Sequence, residues 1–263
     1  MPIADLGHIR LHYQCDGPQD GLPVVLSNGL GTDLRMWDPL LPYLPQGLHV
    51  IRYDRRGHGL SDVTPAPYSM GQLVRDTEAL LTHLQLSGCV FVGLSLGGMV
   101  GQGLAVKRPD LIRAMVLSNT AARIATAEIW QTRIATARGQ GLAALCDATM
   151  ERWFTPEFRT KIDSALWRNM FTATPLEGWT GCAAAIAGTD FYTSTAALRL
   201  PVLGIAGDRD GSTPPDLVRE TTDLIEGARF ALIRRAGHLP HVEQPRAYAD
   251  ALTGFLRAQG LIP

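Results

Sequence analysis

The sequence predicts an α/β domain: a mostly parallel central sheet with helices on both faces and a helical segment inserted between two core strands. Three observations carry that expectation. Short apolar runs alternate with helical stripes along most of the chain, the pattern of parallel strands joined by helical crossovers. The alternation stops near residue 121 and resumes near residue 201. One strand-to-helix junction is Gly93-Leu94-Ser95-Leu96-Gly97, a Gly-x-Ser-x-Gly turn so tight that its flanking positions hardly tolerate a Cβ.

Residues 8–14 read as an opening strand, antiparallel to its neighbour, and residues 23–27 and 49–53 as the next two. Ser69 and Gln72 have capping-box spacing, and Leu73, Val74, Leu80, Leu81 and Leu84 supply a helical stripe behind them. Residues 89–92, Cys-Val-Phe-Val, are apolar and partly β-branched without polar alternation, as in a buried strand. A helix over 98–106 follows, ended by Pro109, and residues 114–117 form another buried strand. From 121 to 197 there is no convincing strand. That stretch has Ala-rich helical runs, Trp130, Trp153, Trp167 and Trp179, and breaks at Gly139, Gly141, Pro156, Pro175 and Gly178. The expected division is therefore a core of residues 1–120 and 198–263 with a helical cap over 121–197. The sheet resumes at 201–206, continues over 229–233, and closes with a helix begun at Pro245 that carries Tyr248, Leu252, Phe255 and Leu256.

The Gly-x-Ser-x-Gly turn is a nucleophile elbow when a buried strand enters it and a helix leaves it. Ser95 would then stand at a helix N-terminus, where free N–H groups favour developing negative charge. In such an arrangement the acid and then the base follow downstream. His238, in Ala236-Gly237-His238-Leu239-Pro240-His241 after the 229–233 strand, is the expected base, with His241 its competitor at the start of the last helix. Asp208 and Asp210 both follow the 201–206 strand. Asp210, further out along the loop and in a Gly-x-x-Asp pattern, is the expected acid, leaving Asp208 to cap the turn or pair with Arg209. The oxyanion hole is expected from the N–H of Leu96 and that of Leu30, in Asn28-Gly29-Leu30-Gly31 after the 23–27 strand.

The 263 residues suffice for one α/β domain with an insertion. With 24 basic against 25 acidic residues the net charge is −1, which gives no reason to expect a nucleic acid or anionic membrane partner. No stretch reaches transmembrane length and the start lacks a signal-peptide pattern, so a soluble cytoplasmic protein is expected. Cys15, Cys89, Cys146 and Cys182 are scattered, without CxxC or Cys/His spacing, so reduced thiols and no metal are expected. Neither GxGxxG nor a phosphate loop occurs, and no nucleotide cofactor is indicated.

With these motifs in place, the chain resembles the α/β-hydrolase superfamily along essentially its whole length. The run Asp54-Arg55-Arg56-Gly57-His58-Gly59-Leu60-Ser61-Asp62 is similar to a loop common in capped members; there His58 is implied to be structural, not catalytic. A narrower resemblance is to the 3-oxoadipate enol-lactonases. It is carried by Ser27-Asn28-Gly29-Leu30-Gly31-Thr32-Asp33 with Met36-Trp37, by residues 118–126 and 130–134, by Trp153-Phe154-Thr155-Pro156, and by residues 210–215. Asn28 stands where many relatives carry His, and Gly29 where a serine is usual. The resemblance implies hydrolysis of 3-oxoadipate enol-lactone to 3-oxoadipate in bacterial breakdown of protocatechuate or catechol, with no metal or organic cofactor. Its expected partner is that small carboxylated lactone, and a free carboxylate in a cavity calls for arginine. Arg123 and Arg133 lie in the matching cap segments, with Trp130 as an apolar wall. Other reactions served by the same triad remain open at this point: ester hydrolysis, carbon–carbon bond hydrolysis and cofactor-free haloperoxidation. So does a non-catalytic ligand receptor.

Overall fold

Eight strands form one sheet in the order β1-β2-β4-β3-β5-β6-β7-β8 in a computed structural model that describes residues 2–161 and 163–263. The strands are β1 Ile3–Asp5, β2 Arg10–Asp16, β3 Leu22–Ser27, β4 Leu48–Tyr53, β5 Cys89–Leu94, β6 Ile112–Ser118, β7 Val202–Gly207 and β8 Arg229–Ile233. From β4 to β8 all neighbours are parallel, whereas β2 runs antiparallel to both β1 and β4. The expected sheet is thus present. The added edge strand β1 is only three residues long, below the length at which alternation can be read.

β4, β5 and β7 are buried at every position, as parallel strands covered on both faces must be. Helix α1 (Met70–His83) opens with the expected capping box, Gln72 N–H donating to Ser69 Oγ at 3.2 Å and Ser69 N–H to Gln72 Oε1 at 2.8 Å. Helix α2 (Leu96–Lys107) begins two residues earlier than its apolar pattern suggests, directly after Ser95. It is buried along most of its length, so it lacks the amphipathic stripe that marks a surface helix.

Between β6 and β7 the described residues form no strand but six helices: α3 Ala127–Gln140, α4 Ala143–Trp153, α5 Pro156–Arg159, α6 Ser164–Thr172, α7 Leu176–Ala187 and α8 Tyr192–Ala196. Three of the four tryptophans of this region, Trp153, Trp167 and Trp179, pack with phenylalanines into an aromatic core of their own. Trp153 meets Phe171 edge-on at 5.7 Å between ring centroids, Phe154 stacks on Phe158 at 4.6 Å, and Trp167 lies 5.7 Å from Phe154. Helix α7 is seated on the Asp54–Asp62 loop at a glycine pair: a Cβ on Gly178 would run into the Gly57 backbone. Tyr68 N–H donates to Gly181 O at 3.2 Å beside it.

The chain closes with α9 Pro215–Asp223, α10 Pro240–Glu243 and α11 Pro245–Ala258. His241 therefore belongs to a separate short helix instead of opening the last one. The four cysteines are free, and Cys15 alone is exposed. No helix among the described residues is long and apolar enough to cross a membrane.

Candidate active site

β5 ends at Leu94 and α2 begins at Leu96, so Ser95 alone makes the turn. Its backbone sits at φ 54°, ψ −118°, a left-handed conformation that costs a residue with a side chain about 1–3 kcal/mol. The surroundings impose it. Ser95 N–H donates to Ser118 O at 2.9 Å, while its carbonyl accepts from Gly98 and Met99 N–H at 2.9 and 3.2 Å. Side chains are excluded on either side: a Cβ at Gly93 would strike the Gly97 carbonyl, and one at Gly97 would strike the backbone of Ser27.

The loops after β7 and β8 bring the expected acid to the expected base. Asp210 Oδ2 accepts from His238 Nδ1 at 2.8 Å, and also from Thr213 Oγ1 and Asn119 Nδ2, each at 2.8 Å. Oδ1 accepts from the N–H groups of Ser212 and Thr213 at 2.6 and 3.1 Å. Burial alone would push this carboxyl up, but His238 and the hydrogen bonds outweigh it and hold Asp210 below the ordinary carboxylate range. Asp208 is elsewhere, its Oδ1 accepting from Ala236 N–H at 3.2 Å. Arg209 pairs with Glu157 of α5 at 3.0 Å, not with Asp208. His241 is fully buried against Trp37, 4.4 Å between centroids, and its Nε2–H donates to Met36 O at 3.1 Å. It is a core histidine, pushed down to about 3 by burial.

Helix α4 ends against both loops. Gly211 N–H donates to Arg152 O at 3.1 Å and His238 N–H to Trp153 O at 2.8 Å, so the last carbonyls of a helix find their partners in the acid and base loops. Glu243 locks the junction. Its Oε2 accepts from Gly237 N–H at 2.6 Å, and its Oε1 from Thr155 Oγ1 and N–H at 2.6 and 3.1 Å.

The loop after β3 is braced from behind. Asn28 donates Nδ2–H to Tyr53 O at 2.9 Å and accepts from Trp37 Nε1–H at 2.8 Å. Gly31, at φ 76°, donates its N–H to His58 Nε2 at 3.0 Å. Burial and the neighbouring Arg55 push His58 down to about 3, so the ring is neutral and its unprotonated Nε2 accepts. That is the structural role expected of it. Asp54 accepts from Leu34 N–H at 2.7 Å and from His12 Nδ1 at 2.8 Å. The N–H groups of Leu30 and Leu96 donate to no described residue.

Ser95, His238, Leu30 and Thr32 line one cavity with Trp130, Arg133, Arg152 and Trp153 among its walls. Arg133 lies over the Trp130 ring, 4.8 Å from its centroid, and Trp130 Nε1–H donates to Ile124 O at 2.6 Å. Arg123 is not brought there. It is half-exposed and lies 3.8 Å from Asp190, a carboxylate on the outside of the cap. Arg152, which pattern reading missed, takes its place. Its Nη2–H donates to Thr149 Oγ1 at 3.1 Å. Neither Arg133 nor Arg152 has a carboxylate within 4 Å among the described residues. Burial pushes Arg133 down, and burial together with Arg133 pushes Arg152 down to about 10. Two half-buried, mutually repelling cations in the same cavity as Ser95 give that cavity a positive wall that would suit an anionic group. The one sequence signal for Arg152 is its place immediately before Trp153-Phe154-Thr155-Pro156.

Comparison with known proteins finds hydrolases of similar sequence and fold. The 3-oxoadipate enol-lactonase 2 of Acinetobacter baylyi is 34% identical, over 95% of this chain and 94% of its own length. The enol-lactonase 1 of the same organism is 31% identical, over 94% and 93%. The crystal structure of the enol-lactonase from Burkholderia xenovorans LB400 superposes with a TM-score of 0.94 at 36% identity, covering 97% of this chain and all of that one. The model of the alpha/beta hydrolase family matches residues 24–251. With an eight-stranded sheet of that type and hydrolases as its relatives, the chain belongs to the alpha/beta hydrolase family.

Proposed function

We propose that this chain opens 3-oxoadipate enol-lactone to 3-oxoadipate as a cytoplasmic serine hydrolase of protocatechuate or catechol breakdown. One observation carries the proposal. A single cavity joins Ser95 and His238 to two arginines that lack carboxylate partners among the described residues. A neutral ester needs no such seat, whereas a carboxylated lactone does. The names of the enol-lactonase relatives point the same way.

In this reading His238 takes the Ser95 proton as the hydroxyl attacks the lactone carbonyl. Asp210 holds the ring with Nδ1 protonated and stabilises the imidazolium without itself accepting the proton. The N–H groups of Leu30 and Leu96 receive the oxyanion. Collapse of the tetrahedral intermediate breaks the ring C–O bond and expels an enolate, a better leaving group than an alkoxide; the His238 imidazolium gives up its proton to it, and formation of the ketone makes the step hard to reverse. Water, deprotonated by His238, then releases the acyl group from Ser95. Arg133 and Arg152 hold the free carboxylate throughout.

The test is turnover of three substrates by the purified protein: the enol-lactone, a neutral aryl ester and a vinylogous diketone. The enol-lactone should lead in kcat/KM by at least about a hundredfold, the scale set by a buried charged contact one substrate has and the others lack. Preference for the diketone would make the protein a carbon–carbon bond hydrolase. Equal turnover of lactone and ester would make it a general esterase, and binding without turnover a receptor.

A further inference from the structure

We infer that Thr32 and Thr120 are positioning residues of the oxyanion hole, each fixing and polarising through its hydroxyl one of the two peptides whose N–H groups receive the oxyanion. The inference rests on the serine-hydrolase reading above and concerns the same site.

The two donors are Leu30 N–H, in the Gly29–Leu30 peptide, and Leu96 N–H, in the Ser95–Leu96 peptide. In a planar trans peptide the carbonyl and the N–H point in opposite directions, so whatever holds the oxygen aims the hydrogen. Thr32 Oγ1 donates to Gly29 O at 2.9 Å, and Thr120 Oγ1 donates to Ser95 O at 2.6 Å. The threonines come from different parts of the chain, one from the loop after β3 and one from the segment after β6. Each nevertheless hydrogen-bonds the carbonyl of a donor peptide.

Both hydroxyls are deeply buried, Thr32 at 1% and Thr120 at 0% exposure, so neither bond competes with water. A hydrogen bond accepted by an amide oxygen draws the amide towards its charge-separated form and leaves its N–H more positive. That change matters most where the N–H faces full negative charge, in the tetrahedral intermediate, and little where it faces a neutral carbonyl.

The chain makes room for this contact. A Cβ on Gly98 would lie 2.5 Å from Thr120 Cγ2, so the glycine in the first turn of α2 is what lets the threonine approach the Ser95 carbonyl. Helix bonds from Gly98 and Met99 also reach that oxygen, but such bonds occur at any helix start; the threonine is additional. Thr32 Oγ1 also lies 3.0 Å from Met36 Sδ, a weak acceptor beside a carbonyl.

The experiment uses Thr32→Val and Thr120→Val, which keep shape and remove the O–H, with Thr32→Ser and Thr120→Ser as restorations. Each valine variant should lower kcat by about tenfold, less than the hundredfold or more that loss of a donor itself costs, with KM within about twofold. Affinity for an aryl trifluoromethyl ketone, whose adduct with Ser95 carries an oxyanion, should fall in parallel with kcat. Affinity for hexanoate, a monocarboxylate of the same chain length whose one charge goes to the arginines, should not. The serine variants should restore both readouts. Wild-type kcat in both valine variants would overturn the inference. Equal losses for ketone and hexanoate, without rescue by serine, would also overturn it, because that pattern means general loosening. Ser95→Ala separates the two levels. If it retained turnover, the serine-hydrolase reading would fall and the threonine roles with it; if it is inactive while the valine variants are normal, the threonine inference alone fails.

Discussion

A fully buried carboxylate stays ionised at Asp210 because five donors converge on it, two backbone N–H groups and three side chains. An amide there would present its own NH2 to some of them, so Asp210→Asn should favour the wrong imidazole tautomer and lower kcat by on the order of a thousandfold or more. Asp208→Asn, which touches only Ala236 N–H, should act on stability. A slower enzyme from Asp208→Asn than from Asp210→Asn would reverse the assignment of the acid. Two other buried groups govern acid stability. His58 and His241 are held neutral, each pushed down to about 3 by burial, whereas an unfolded histidine titrates near 6.5. Between those values the unfolded chain binds more protons than the folded one. Stability is therefore full above about pH 6.5 and falls as pH drops, by on the order of 1.4 kcal/mol per pH unit for each ring. His241→Phe, which keeps an aromatic ring beside Trp37, should remove one proton from that slope in denaturant unfolding measured from pH 7 to 4. An unchanged slope would mean that His241 is charged in the fold. At this scale the pairing of Asp210 with His238, and of His238 with Ser95 in one cavity, was legible because each residue follows a recognisable strand. Arg152 was not, since nothing in a single sequence says that α3 and α4 turn one arginine each towards the same cavity.

Elements carry the strain and the docking. The strand–serine–helix turn is legible from Gly93 and Gly97 alone, because only glycine fits between the Ser27 backbone and the turn itself. Where α4 ends is not legible in the same way. Its last carbonyls meet Gly211 and His238, contacts between segments more than fifty residues apart that no local pattern announces. Glu243 holds this junction with three accepted hydrogen bonds in a site whose burial pushes its carboxyl up against them. Glu243→Ala should leave three buried donors unpaired and cost about 3 kcal/mol or more. A melting-temperature loss of roughly 6 °C or more should accompany it. Because Gly237 precedes His238, the proposed base, kcat should fall as well. A variant that melts early yet turns over normally would show that His238 is held by Trp153 O and Asp210 without Glu243.

For the whole molecule, the division of labour between sheet and inserted helices makes a prediction about specificity. The core carries Ser95, Asp210, His238 and the Leu30 and Leu96 N–H groups proposed as oxyanion donors, while α3 and α4 carry Arg133 and Arg152. Chemistry and recognition should then be separable by mutation. Arg152→Met and Arg133→Met keep length and apolar volume but remove a cation. A buried carboxylate left without its partner costs about 3–5 kcal/mol. Each variant should therefore lower kcat/KM for the enol-lactone by at least about a hundredfold and leave a neutral aryl ester nearly untouched. Because the two guanidinium groups repel each other and, in the proposed reading, serve one carboxylate, the double variant should lose less than the product of the two single losses. Arg123→Met, on the outer face beside Asp190, should change neither substrate. Equal small effects of Arg133→Met and Arg152→Met on lactone and ester would remove the carboxylate seat. The inserted helices would then be a lid over a general esterase, and the free charges of Arg133 and Arg152 would need another ligand to balance them.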